Sequence, residues 1–282
     1  MIIDFHTHTF PDKIASAALR ELSQTGHIPP YTNGTAAGLR ASMQEAGVDL
    51  SLVLPVATNL AQVGSINASA ARQGLQKGER GILSFAAAHP GSPDLEEELE
   101  TAAALGFRGI KLHPVYQQVD FDDSRTLRIL DKAGRLGLIV LTHAGRDIGF
   151  PTENRCSPAM IRRALEKVGP VKLVAAHMGG WKNWDEAVQE LAGTAVYIDT
   201  ACSTGGITPL EDGFYTKEDL TLLSGEAFVG MVKAFGARRV LMGSDSPWTS
   251  QKETVDWLCA LPLGEEEKAL ILGQNARTLL GL

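Results

Sequence analysis

Eight short apolar, β-branched runs, each trailed by a helix-like segment, recur roughly every 25 to 45 residues along the 282-residue chain. That rhythm predicts an α/β fold of parallel strands joined by right-handed helical crossovers. Eight such units in this length match a (β/α)8 (TIM) barrel, with residues 1–282 as a single domain. A doubly wound sheet would carry fewer strands and a glycine-rich phosphate turn after the first. Here the first strand runs into His6-Thr7-His8 instead.

The strands are expected at 2–5, 50–54, 81–87, 107–112, 138–142, 171–176, 196–199 and 239–242. The fifth, Leu138-Ile139-Val140-Leu141-Thr142, is nearly all apolar, as strands buried on both faces are. Between them, 93–100 reads as a helix with Ser92 as N-cap, Pro93 at its first position and acids in its first turn. Asp123 or Ser124 caps a helix over 125–136, which Gly137 stops. Ser157-Pro158 opens 159–168, and Gly169-Pro170 closes it. No internal repeat, low-complexity tract or linker marks a second domain.

Composition narrows the functional classes. The chain is 44% hydrophobic and 21% charged, with a net charge of −7 and a sequence pI of about 5.5. Its basic residues form no patch, which speaks against nucleic acid as a partner. No run approaches the roughly 18 apolar residues of a membrane span, and the first residues lack the pattern of a secretory signal. The three cysteines, Cys156, Cys202 and Cys259, suggest no disulfide framework. A reduced cytoplasmic setting is the expectation, with a small molecule as substrate.

In a barrel, chemistry collects at the C-terminal strand ends. His6 and His8 share a face at the first end, because side chains alternate along a strand. Two imidazoles aimed at one point suit a divalent transition metal. Alone, they are equally a pair of histidines in a surface loop. The fourth strand carries Lys111 and His113, the fifth ends in His143, the sixth in His177, and Asp245 follows the eighth. Five of the seven histidines thus fall at these ends, while His89 also follows a strand and only His27 lies in an obvious loop. Each has a bland reading alone (a satisfied core histidine, an N-cap). Jointly those readings need several coincidences, so the pattern points to a site.

Asp-Phe-His-Thr-His at 4–8, Gly-Ile-Lys-Leu-His-Pro at 109–114, Thr-His-Ala-Gly at 142–145, Ala-His-Met-Gly-Gly at 176–180 and Gly-Ser-Asp-Ser-Pro-Trp at 243–248 occur in that order. The chain resembles the amidohydrolase superfamily of metal-dependent barrels, and within it the amidohydrolase-2 branch of aminocarboxymuconate-semialdehyde decarboxylase and its relatives. The closing segment 271–282 also resembles that family's last helix. The resemblance implies that His6, His8, His143 and Asp245 bind a divalent metal, zinc first. It also implies that His177 and Asp245 act as catalytic groups moving protons. Lys111 and His177 are the candidate ligands of a second metal, Lys111 as a bridging carboxylated lysine. Its other readings are pairing with an acid or contact with a substrate carboxylate.

His113 shares the face of Lys111 and either lines the pocket or leads into the loop opened by Pro114. Arg146 either forks onto a substrate carboxylate or pairs with Asp147 at the rim. Trp181 and Trp248 wall a planar substrate or pack between helices. Cys202 is pocket lining at most. The implied activity is hydrolysis of a C–N or C–O bond in a small organic substrate. The alternative with the same site is non-oxidative decarboxylation, or hydration, of an unsaturated or aromatic acid. A third reading is a barrel keeping its histidines for structural metal or as a relic. Members of the family often form homodimers, and the resemblance extends that expectation here.

Overall fold

The computed structural model describes all 282 residues, and each of the eight expected runs contains a strand. β1 (Ile3–Thr7) is followed by α1 (Asp12–Gly26) and α2 (Ala36–Ala46), and β2 (Leu50–Val53) by α3 (Leu60–Arg72). β3 (Ile82–Ser84) and β4 (Ala86–Ala87) precede α4 (Leu95–Ala104), and β5 (Gly109–Leu112) precedes α5 (Pro114–Gln117) and α6 (Ser124–Leu136). β6 (Ile139–Thr142) leads to α7 (Pro158–Leu165), β7 (Lys172–Ala175) to α8 (Trp184–Leu191), and β8 (Tyr197–Asp199) to α9 (Gly225–Phe235). β9 (Val240–Leu241) is followed by α10 (Gln251–Ala260), α11 (Glu265–Ala269) and α12 (Asn275–Leu280).

The run at 81–87 is two strands: Phe85 between them bonds Val53 O, at the end of β2, through its backbone N–H at 3.1 Å, while Ala86 and Ala87 pair with Ile110 and Lys111 of β5. The helix expected from Pro93 starts at Leu95. Its N-cap residue is Asp94, with no side-chain cap, and Ser92 lies in the preceding turn, its backbone N–H on His89 O at 3.0 Å. Asp123 does cap α6, taking the Arg125 N–H at 2.9 Å, and Gly137 ends it in the left-handed conformation. Ser157 caps α7 through the Met160 N–H at 3.2 Å, and α7 stops at Leu165 rather than 168.

The chain divides into two compact units. One comprises Met1–Leu52, Ile148–Pro151 and Asp199–Leu282, the other Val53–Asp147 and Thr152–Ile198. In the second, β4, β5, β6, β7 and β8 pair in sequence order, all parallel, with Ile110 beside Val140 and Val140 beside Leu173. Every residue of β6 is buried, which is why its sequence is nearly all apolar. In the first unit β1 is flanked on one side by β2, through Asp49 N–H to Ile2 O at 2.9 Å. On its other side lies the stretch continuing β9, through Phe5 N–H to Met242 O at 2.8 Å and Asp245 N–H to His6 O at 2.8 Å. Ile3 and Phe5 point into the core with no exposed surface.

Candidate metal centre and its flanking imidazoles

β1 delivers His6 and His8, and the turn after β9 delivers Asp245. Three parallel contacts lock the two segments in register: His8 N–H to Ser246 O at 2.6 Å, Asp245 N–H to His6 O, and the bridge between Thr7 and Ser246. Asp4 ties the same segments from below. Its fully buried carboxylate accepts from Ser244 N–H at 2.9 Å, Ser244 Oγ at 2.5 Å, Gln251 Nε2 at 2.7 Å and His6 N–H at 3.2 Å. Burial pushes the Asp4 carboxyl up to about 6, against those hydrogen bonds, which favour its ionised form.

The result is a convergence of donor atoms. His8 Nε2 lies 3.0 Å and His6 Nε2 3.5 Å from Asp245 Oδ1. Tetrahedral ligand atoms held about 2.0–2.1 Å from zinc sit roughly 3.3 Å apart, so this spacing suits one cation. His6 is 1% exposed and its Nδ1 faces Asp199 Oδ2 at 2.9 Å. That contact places the proton on Nδ1 and the lone pair on Nε2, the atom turned to Asp245. Asp245 sits in the left-handed region at φ 69°, and its Oδ2 accepts from Cys202 Sγ at 3.1 Å. Gly243 makes the close approach possible: a Cβ there would meet the Cβ of His6 at 2.9 Å.

The second unit gathers Lys111, His113, His143, Asp147 and His177, all buried. His143 Nε2 faces Arg146 O at 3.1 Å and its Nδ1 faces His177 Nε2 at 2.9 Å. The carbonyl can only accept, so His143 carries its proton on Nε2 and receives one at Nδ1 from His177. The His113 ring stacks on His143 at 4.3 Å. Asp147 Oδ2 lies 3.5 Å from His113 Nε2 and 3.7 Å from His143 Nε2. Burial holds His143 well below the ordinary imidazole range, and the neighbouring charges of His113, His177 and Lys111 push the same way. His143 is therefore a neutral imidazole, with both ring nitrogens engaged in these two contacts. His177 and Met178 adopt left-handed backbone at φ 59° and 56°, and Trp184 Nε1 donates to His177 O at 3.1 Å.

His6, His8 and Asp245, expected to share a metal, come together in one unit, while His143 and His177 pair in the other. Lys111 is 1% exposed on β5, and His113 is a buried partner of Asp147 and His143 rather than a loop residue. Asp147 turns inward to these imidazoles while Arg146 is exposed, so the rim pairing of the two is not formed. Trp181 is buried, with its N–H on Ala144 O at 2.9 Å, and Trp248 is half-buried with its N–H on Asp245 O at 2.8 Å. Sequence reasoning missed Asp199 and Cys202 as neighbours of the candidate ligands His6 and Asp245. The signal for Asp199 was its place as the one charged residue in its strand, at the end where chemistry collects.

A model of the amidohydrolase family matches residues 3–282. The chain belongs to that family. No curated protein matches it. Among solved structures, this amidohydrolase is similar to an uncharacterized TIM-barrel protein from Bordetella bronchiseptica, at 18% identity and a TM-score of 0.72 over 99% of this chain and 98% of that one. It is similar also to 5-carboxyvanillate decarboxylase from Sphingomonas paucimobilis, at 17% identity and a TM-score of 0.71 over 100% and 99% of the two chains. A candidate 2-pyrone-4,6-dicarboxylic acid hydrolase from Pseudomonas putida matches at 21% identity and a TM-score of 0.67 over 99% and 97%. These likenesses show the fold, the expected (β/α)8 barrel of the α/β class. The neighbours include both decarboxylases and a hydrolase, and the His/Asp groups of this chain are able to hold a metal. No helix is long and apolar enough to cross a membrane.

Proposed function

We propose that this amidohydrolase is a metal-dependent hydrolase acting on a C–N or C–O bond of a small organic substrate. The observation that carries the reading is the convergence of His6 Nε2, His8 Nε2 and Asp245 Oδ1, with the His6 lone pair turned inward. The family's ligand pattern adds His143, which would ligate through Nδ1 in place of its contact with His177. Three imidazoles and a carboxylate suit zinc, and a bound divalent metal supplies a Lewis acid and acidifies water. Asp245 accepts the proton that a water nucleophile gives up. His177, which donates from Nε2 to His143 Nδ1, is the second group to move a proton. Arg146, exposed beside this group, anchors a substrate carboxylate, while Trp181 and Trp248 offer flat apolar walls. Lys111 and His177 remain the candidates for a second metal.

Non-oxidative decarboxylation of an unsaturated or aromatic acid is the second reading. It is favoured by the similarity to 5-carboxyvanillate decarboxylase and uses the same Arg146 anchor.

Elemental analysis of purified protein, alongside His8→Ala and Asp245→Ala, tests the metal. Zinc, manganese or iron near one per chain in the wild type and lost in both variants is expected. Metal-replete protein that binds none of the three overturns the proposal. A screen of carboxylated aromatics and lactones, read for released carbon dioxide against ring opening, separates the two reactions. Arg146→Ala should raise KM for carboxylated substrates alone, and unchanged kinetics would remove its anchoring role.

A further inference from the structure

Neither Asp199 nor Cys202 belongs to the ligand pattern, yet each touches one member of it. Asp199 is fully buried on β8. Its Oδ1 accepts the Ala201 N–H at 3.1 Å and its Oδ2 faces His6 Nδ1 at 2.9 Å, so the carboxylate plane is fixed at both oxygens. Three residues on, Cys202 takes a left-handed backbone at φ 47° and places Sγ 3.1 Å from Asp245 Oδ2. Between them, Thr200 grips the Asp245 turn with one hydroxyl. Its Oγ1 donates to Gly243 O at 2.8 Å and accepts from Gly243 N–H at 3.0 Å. The segment thus reaches two of the proposed ligands, His6 and Asp245.

We infer that Asp199 and Cys202 are positioning residues that select which atom of His6 and of Asp245 faces the cation. The inference rests on the reading that His6, His8 and Asp245 hold one. Asp199 accepts a hydrogen bond from the Nδ1–H of His6, so only Nε2 can ligate, and the adjacent negative charge strengthens that nitrogen as a donor. The Cys202 S–H occupies Asp245 Oδ2, which leaves Oδ1, the oxygen near both imidazoles, as the ligand atom. Asp245 is thereby held to one-oxygen ligation, and the site keeps a coordination position for water or substrate. With Asp199 neutralised, the imidazole becomes a weaker donor whose tautomer is no longer chosen. With the thiol removed, the carboxylate is released to bind through both oxygens.

The test measures zinc affinity by chelator competition and the visible spectrum of the cobalt-substituted protein, for wild type, Asp199→Asn, Cys202→Ala and Cys202→Ser. Asp199→Asn is nearly isosteric and should weaken zinc binding 10- to 100-fold, the range for partners lying behind a ligand. Cys202→Ala should weaken it about fivefold, the size of one hydrogen bond. It should also shift the cobalt bands as the coordination number rises, while the serine hydroxyl restores both readouts. A merely structural role would lower the melting temperature of the metal-free protein and leave the cobalt bands in place. Wild-type affinity and spectrum in Asp199→Asn and Cys202→Ala overturn the inference alone. A serine variant no better than alanine overturns the role of Cys202. A wild type that binds no metal overturns instead the reading beneath it.

Discussion

Replacing Gly145 with alanine isolates how the loop after β6 is held. Gly145 lies between His143 and Arg146 at φ 82°, a conformation that costs an L side chain about 1–2 kcal/mol. An alanine Cβ would also stand 2.2 Å from Trp181 N and 2.5 Å from Trp181 O. Those are backbone atoms in a buried bridge and cannot swing aside. Opening the bridge sacrifices two hydrogen bonds, Trp181 N–H to Ala144 O at 2.9 Å and Arg146 N–H to Trp181 O at 3.0 Å, each contributing about 1 kcal/mol. The total is about 3–4 kcal/mol, which for a chain of this size lowers the melting temperature by roughly 5–7 °C. Gly137→Ala is the control. Gly137 also has a left-handed backbone, φ 70°, but a Cβ there meets nothing within 4 Å, so that variant loses only the conformational part. Calorimetry on the metal-free protein gives both shifts. If Gly145→Ala melts no lower than Gly137→Ala, the close approach of Trp181 is not what demands glycine there.

Asp123→Ala should cost about 1 kcal/mol at pH 7 in urea unfolding through loss of the α6 cap. Arg125 holds the Asp123 carboxyl at about 2 in the folded protein, against 3.8 ordinarily, so its stabilisation is full above pH 4 and lost as pH falls through about 2. The gap between wild type and variant should therefore close in acid, and a gap unchanged at pH 2 would contradict the cap's charge. Cys156 is fully buried with its thiol pushed far above the ordinary range by that burial. A thiol reagent should label exposed Cys259 in the native protein and Cys156 only after unfolding; equal native rates by mass spectrometry would show that the Cys156 environment opens. Zinc at about a hundredfold over its dissociation constant should stabilise the fold by about 2.7 kcal/mol, a gain that His8→Ala abolishes, as chelator-treated melts would reveal.

The α/β rhythm was legible because it is local. β-branched runs and turn residues sit next to each other in sequence, and each expected run does contain a strand. The i, i+2 reading of His6 and His8 held for the same reason: both present Nε2 to one oxygen of Asp245. Where the reading slipped, another local partner won. The helix expected with Ser92 as its cap begins two residues later with Asp94 as N-cap, a shift that local propensity does not resolve. Arg146 and Asp147 looked like a pair because they are adjacent. Adjacent loop residues often diverge, though, and Asp147 turned to two imidazoles.

What sequence could not show is the support behind the ligands, and the reason is distance along the chain. His6 meets Asp199 across 193 positions, Asp4 meets Ser244 across 240, and Cys202 meets Asp245 across 43. No periodicity or capping rule spans such separations. The candidate ligands escaped this limit because in a barrel chemistry collects at the C-terminal strand ends, so an ordinal rule picks them out of the sequence. Their partners come from the same strand ends but need a hydrogen-bond geometry the ordinal rule does not contain. Asp199 satisfied the rule and was passed over, since a carboxylate ending a short strand is indistinguishable from a helix cap until its Oδ2 is seen on His6 Nδ1. Reading every charged strand-end residue as either a ligand or the partner of one would have recovered it, and it makes Asp199→Asn the variant that weighs such partners against ligands.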